Sequence, residues 1–231
     1  MTVLNYAGIG SRETPTIILK GMRNFATYMA EQGHTVSTGG AKGADSAFID
    51  GAMQGNGSLR NYLPFPGYNG YRNNIMPFDR SKKVMDLAKK YHPAWNRCSP
   101  TARLMHARNC NIILGPHLIE PVAFILCWTP DGLVTGGTGQ AQALIPSVAA
   151  LQAGDYRFVK SKAFHSVIVE DRPHCILMRI GSYSYYFNRE TGVLSMMFRK
   201  NERVNPRLEE YKDILECAVE IFNTWVPFKR D

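Results

Sequence analysis

Val122-Ala123-Phe124-Ile125-Leu126-Cys127-Trp128 is an unbroken apolar run. A strand with one wet face alternates apolar and polar residues, so a continuous run bounded by turn residues fits a strand covered on both faces. Thr129-Pro130-Asp131-Gly132 ends it, Gly136-Gly137-Thr138-Gly139 follows, and a small-residue helix runs through Leu151. The same order of strand, glycine loop and helix recurs upstream. Residues 2–8 are apolar and lead into Gly8-Ile9-Gly10-Ser11-Arg12, after which Thr14 suits a helix cap and Pro15 a first helical position. Ile18, Met22, Phe25 and Met29 make a helical stripe that Gly33 stops. Residues 34–37 read as a second strand, followed by a glycine-rich loop to Asp45 and a helix over 46–53. A third strand spans 59–63, and Pro64-Phe65-Pro66-Gly67 opens a long irregular loop. Helical patterns return over 81–91 and 101–113.

Strands alternating with helices, each strand ending in a glycine-bearing loop, specify an α/β chain: a Rossmann-like, doubly wound parallel sheet whose ligands bind at the carboxyl ends of the strands. Beyond Gly154 the texture changes. Short strand-like runs over 164–169, 175–180, 183–187 and 193–198 are separated by turn residues, with a hairpin loop at 188–192. A final amphipathic helix over 206–225 carries Leu208, Tyr211, Leu215, Ala218 and Phe222 on one stripe. The expected organisation is a ligand-binding domain over 1–154 and a small antiparallel β-hairpin appendage with a closing helix over 155–231.

Of 231 residues 45% are hydrophobic and 20% charged, which suits a globular core. No apolar run approaches the roughly 20 residues that span a bilayer, and the first residues read straight into a strand, so a cytoplasmic protein without a membrane partner is expected. The five cysteines lack C-x-x-C spacing, so neither a disulfide framework nor a zinc site is indicated, and no cofactor or metal is expected. The formal charge of +8 is concentrated in residues 72–108, which hold nine Lys or Arg against Asp79 and Asp86. Such a field attracts anions, either a nucleotide or a polynucleotide backbone. Lys82, Lys83, Lys89 and Lys90 taken alone fit a solvated helix face equally well.

Three loops carry the chemistry. Gly8-x-Gly10-Ser11-Arg12 offers close backbone approach, helix N–H groups, a hydroxyl and a fixed cation to a phosphate. Thr38-Gly39-Gly40-Ala41-Lys42-Gly43-Ala44-Asp45 is stronger evidence, since each glycine costs roughly 0.5–1 kcal/mol of chain entropy unless main chain must wrap a ligand. Asp45 reads either as the helix N-cap or as a contact to ligand hydroxyls. Gly136-Gly137-Thr138-Gly139-Gln140 adds N–H donors, a hydroxyl, and an amide able to read a base edge. Gly39 and Gly137 are expected to leave room for a phosphate or sugar. No Gly-Lys-Ser/Thr follows at P-loop spacing. Trp128 reads as a core residue or as a stack for a base, and Trp95 as a loop anchor or a cover of the pocket.

This set resembles the SLOG superfamily, in particular the DprA-like proteins of phage genomes, over residues 3–150. Met105-His106-Ala107-Arg108-Asn109 is similar to the Met-His-Glu-Arg-Lys motif of the LOG branch, phosphoribohydrolases that cleave the N-glycosidic bond of nucleoside monophosphates. The resemblance implies a nucleotide-derived ligand held by Gly8, Gly10, Ser11, Arg12, Thr38, Gly39, Gly40, Gly43, Asp45, His106, Arg108, Asn109, Gly136, Gly137, Thr138, Gly139 and Gln140. It also implies dimers or larger homo-oligomers and, for a viral gene, a counter-defence role in the host cytoplasm. Ala143 stands where LOG has its catalytic glutamate, with Gln142 beside it. An amide neither stabilises an oxocarbenium-like centre nor activates water well. The leading expectation is therefore a binder of a cyclic-nucleotide or ADP-ribose-like signal. The alternatives are a LOG-like N-glycoside hydrolase or transferase, with Asp45 and Arg108 as catalytic candidates, and DprA-like binding of single-stranded DNA.

Overall fold

The computed structural model describes residues 3–72, 75–76, 78–122, 124–128, 137, 140–141 and 144, together with the backbone of four strands within 165–197. The expected helix over 206–225, most of the one through Leu151, and the hairpin residues 189–192 lie outside the described residues.

Among the described residues nine strands form one sheet: β1 (Asn5–Gly10), β2 (Thr35–Thr38), β3 (Ser58–Tyr62), β4 (Ile75–Met76), β5 (Phe124–Trp128), β6 (His165–Asp171), β7 (Cys175–Ile180), β8 (Tyr183–Asn188) and β9 (Leu194–Met197). Their order is β4-β3-β2-β1-β5-β6-β7-β8-β9. Pairing is parallel from β4 through β6 and antiparallel from β6 to β9. The chain therefore winds outward from β1 to β4 and restarts on the other side of β1 with β5. In open α/β sheets that reversal is where ligands bind, outside the carboxyl ends. β6 pairs with β5 in register, Phe124 opposite His165, so the strands after residue 154 extend the same sheet.

Helices α1 (Thr16–Glu31), α2 (Ala44–Gln54), α3 (Lys82–Tyr91) and α4 (Pro100–Leu114) cover two faces. The period-two alternation of β1 sorts them. Tyr6 meets Phe25 of α1 and Phe48 of α2 in edge-to-face contacts at 5.7 and 6.4 Å, and Gly8 lies under the Phe48 ring. Ala7 and Ile9 point the other way, into a core with Val84, Ala88, Ala107, Ile112, Ile125 and Cys127. β5 is thus as buried as its apolar run requires. The α1 stripe Ile18, Met22, Phe25 and Met29 is buried throughout, and Gly33 ends that helix at φ +79°.

Some local expectations shift. Thr14 does not cap α1: its hydroxyl donates to the Ser11 carbonyl at 2.7 Å and tightens the first loop, while Pro15 stands one place before the helix. The N-cap of α2 is Gly43, at φ +84°, and not Asp45, which falls in the first turn. The loop after β3 contains a short parallel strand, β4, at residues too few to show a period. Ser81 and Ser99 cap α3 and α4 through their hydroxyls. No helix among the described residues is long and apolar enough to cross a membrane.

Candidate functional site

The first and second loops lie against each other, since a Cβ on Gly43 would sit 3.0 Å from the backbone of Ser11 and Arg12. Ser11 spends its hydroxyl on the Glu13 N–H at 3.1 Å and its own N–H on the Trp128 carbonyl at 3.3 Å, which ties the end of β1 to the end of β5. Arg12 is exposed, and its guanidinium reaches Met105 Sδ of α4 at 3.6 Å.

The second loop encloses a buried ion pair. Asp45 Oδ2 lies 3.6 Å from Arg108 Nη1, and both side chains are almost fully shielded from solvent. The space that a Cβ on Gly39 would need is filled by the Arg108 guanidinium. The expected clearance for a phosphate at Gly39 is therefore occupied by a side chain of the protein itself. The Asp45 carboxylate also accepts the Ala41 N–H at 3.2 Å. Burial raises the Asp45 carboxyl above its ordinary range, opposed by Arg108, the loop N–H groups of Ala41 and Gly39, and Arg12. Burial likewise lowers Arg108, opposed chiefly by Asp45. A guanidinium starts so high that Arg108 stays charged, and this charge makes an ionised Asp45 tolerable in the interior.

The third loop is held by the same helix. His106 Nδ1 and Gln140 Oε1 are 2.9 Å apart, and Asn109 Nδ2 donates to Gln140 Oε1 at 3.2 Å and to the Gly137 carbonyl at 3.3 Å. Gln140 Nε2 donates to the carbonyls of His106 at 3.1 Å and Ala88 at 3.5 Å. The amide expected to read a base edge is thus committed to α3 and α4. Burial lowers His106 to about 4, with His92 beside it acting in the same direction. At Gly137 a Cβ would meet His106 Cε1 at 3.6 Å, an ordinary contact, so a small side chain there would pack on α4 without displacing it. Gly136, Thr138, Gly139, Gln142 and Ala143 lie outside the described residues.

Met105, His106, Arg108 and Asn109, within one stretch of α4, thus touch all three loops. Gly8 and Gly10 serve packing: their Cβ positions meet Phe48 and, at 2.7 Å, Ala44 of α2. Around the ion pair, Thr38 Oγ1, both atoms of the Asn61 amide, and Arg108 Nε are buried without a hydrogen-bond partner among the described residues. Thr38 and Asn61 are neighbours across β2 and β3.

Several residues escaped the sequence reading. Asn69 Nδ2 donates to the Gly40 carbonyl at 2.7 Å, and the Tyr71 hydroxyl lies 3.2 Å from Ser46 Oγ, so the loop after β3 covers the second loop. The Asn-Gly and aromatic content of 67–71 was the available signal. Trp95 is buried under Arg103, whose guanidinium stands 5.6 Å from the ring, and Trp128 is buried at the end of β5. The four lysines of α3 are exposed. Comparison with family models, with curated proteins and with solved structures returned no match.

Proposed function

We propose that the protein binds a phosphate-bearing, nucleotide-derived small molecule at the carboxyl ends of β1, β2 and β5, as expected of a SLOG-type chain. The observation that carries this reading is the single α4 segment on which the three glycine-rich loops converge, at the reversal of strand order. Arg12 is an accessible cation of this site and forks onto the phosphate, while the main chain at Gly137, beside His106 and Asn109, faces the sugar or base. Arg108 supports the second loop from beneath. Polar atoms of Thr38, Asn61 and Arg108 that are buried without partners among the described residues are a further reason to place a polar ligand nearby.

Binding without cleavage is favoured because Asp45, the carboxylate of the second loop, is already engaged by Arg108 and Ala41. The test is thermal unfolding with AMP, ADP-ribose, a cyclic dinucleotide and a single-stranded oligonucleotide, with free base followed by chromatography. Stabilisation by a small nucleotide without base release is expected. Arg12→Ala should weaken that binding about 10- to 100-fold, as for a lost charge-assisted hydrogen bond. Base release that disappears in Asp45→Asn would replace the binder by a hydrolase, and stabilisation by the oligonucleotide alone would move the site to the exposed lysines of α3.

A further inference from the structure

His92, Cys98 and His106 come together from three elements: the residue after α3, the residue after the 95–97 turn, and the middle of α4. One ring nitrogen of each histidine and the Cys98 sulfur all lie within 4.8 Å of one another, and all three residues are partly accessible. Cys98 Sγ is 3.8 Å from His92 Nδ1, and the two imidazoles lie with centroids 3.9 Å apart. We propose that these three side chains form a binding site for a divalent transition ion of the zinc class, with solvent in the fourth position.

The donor set and its geometry both point this way. Imidazole and thiolate together select zinc and its neighbours over magnesium or calcium, which take oxygen ligands. Zn–N bonds of about 2.0–2.1 Å and a Zn–S bond of about 2.3 Å at tetrahedral angles place N and S roughly 3.6 Å apart. The 3.8 Å pair is already near that value, and the widest separation closes with roughly 1 Å of side-chain rotation.

The tautomers are also set for it. Gln140 Nε2 donates to two carbonyls, so its Oε1 must be the acceptor facing His106. His106 Nδ1 therefore carries the proton and donates it, leaving Nε2 with the lone pair. A ligating histidine commonly has its other ring nitrogen bound to a carbonyl oxygen in this way. His92 Nδ1 accepts the Ala94 N–H at 3.2 Å, so its lone pair lies on the nitrogen nearer Sγ, and a metal ion would take the place of that donor. On binding, the Cys98 thiol releases its proton to solvent and the thiolate sulfur donates the electron pair to the ion. Simple spacing rules miss the site because no two of its ligands stand in a C-x-x-C or H-x-x-x-H arrangement.

This metal site shares His106 with the proposed nucleotide site, but its test needs no nucleotide and uses cobalt(II) as an optical stand-in for zinc. Metal-free full-length protein is titrated with cobalt(II), then with zinc(II). One ion per chain is expected, with the intense visible bands of a tetrahedral ion and a thiolate-to-cobalt charge-transfer band, both bleached by zinc. Cys98→Ser should abolish the charge-transfer band, and His92→Gln should weaken binding by ~100-fold. The exposed His117→Ala should change neither, and the melting profile of each metal-free variant reports whether it folds. No tetrahedral signal in the parent, or a charge-transfer band that survives in Cys98→Ser, would overturn the proposal.

Discussion

The first and second loops have similar glycine clusters in sequence, yet their glycines meet different neighbours. At Gly8 and Gly10 the missing side chain admits α2, whose Phe48 and Ala44 press onto the strand. At Gly39 it admits a guanidinium that comes from a helix more than sixty residues later in the chain, and that group balances Asp45 inside the same loop. The first cluster is a packing device; the other is the housing of a buried charge pair. Glycine clusters at strand ends therefore need not share one role, and at Gly137, in the third loop, a Cβ would meet His106 and Asn109 of α4 at ordinary contact distances.

The contrast breaks most readily at Gly39. Gly39→Val must push the Arg108 guanidinium off Asp45, and stranding one partner of a buried pair costs about 3–5 kcal/mol. Urea unfolding should show that loss. Arg108→Ala should cost as much alone, and the double variant should lose no more than Arg108→Ala, because the space is then free. Strict additivity would mean that the two residues do not share one site. Gly8→Ala should be milder, about 1–3 kcal/mol of overpacking against Phe48, and indifferent to Arg108.

The third loop gives a smaller, pH-dependent effect. Burial holds the folded-state pKa of His106 at about 4, below its ordinary 6.5. The neutral ring's contribution is fully present above 6.5 and is lost as pH falls toward 4, because the unfolded chain takes up the proton first. Between pH 7 and 5 the stability of the metal-free protein should drop by roughly 1–2 kcal/mol after allowance for partial exposure, and His106→Gln should flatten that slope. Least of all, neutralising Lys82, Lys83, Lys89 and Lys90 together should change stability by under about 0.5 kcal/mol per site and leave binding of a small nucleotide intact. A large loss of nucleotide affinity there would move the site to α3.

Periodicity and glycine clusters made much of this legible. The apolar run 122–128 marked the strand buried on both faces, the α1 stripe marked its core side, and three loops at three strand ends marked one end of the sheet. Local patterns do not carry what arrives from a distance. Nothing near Gly39 announces Arg108, and nothing near Gln140 announces His106. β4 has two residues, too few for a period, and the parallel pairing of β6 with β5 is a long-range event that a change of texture near Gly154 conceals. The resemblance brought Arg108 into view as a ligand-binding and catalytic candidate; the geometry adds that it is the counter-ion of Asp45.

The central claim is that the three loops form one nucleotide site that includes the main chain at Gly137. Gly137→Val tests it most directly, since the nearest described atoms a Cβ there would meet, on His106 and Asn109, lie at ordinary contact distances. Calorimetric titration should compare this variant with the parent, using whichever of AMP, ADP-ribose or the cyclic dinucleotide stabilises the parent most. The expected result is an unchanged melting temperature without ligand and a loss of measurable binding with it. Parent-like affinity in the folded Gly137→Val protein would contradict the claim.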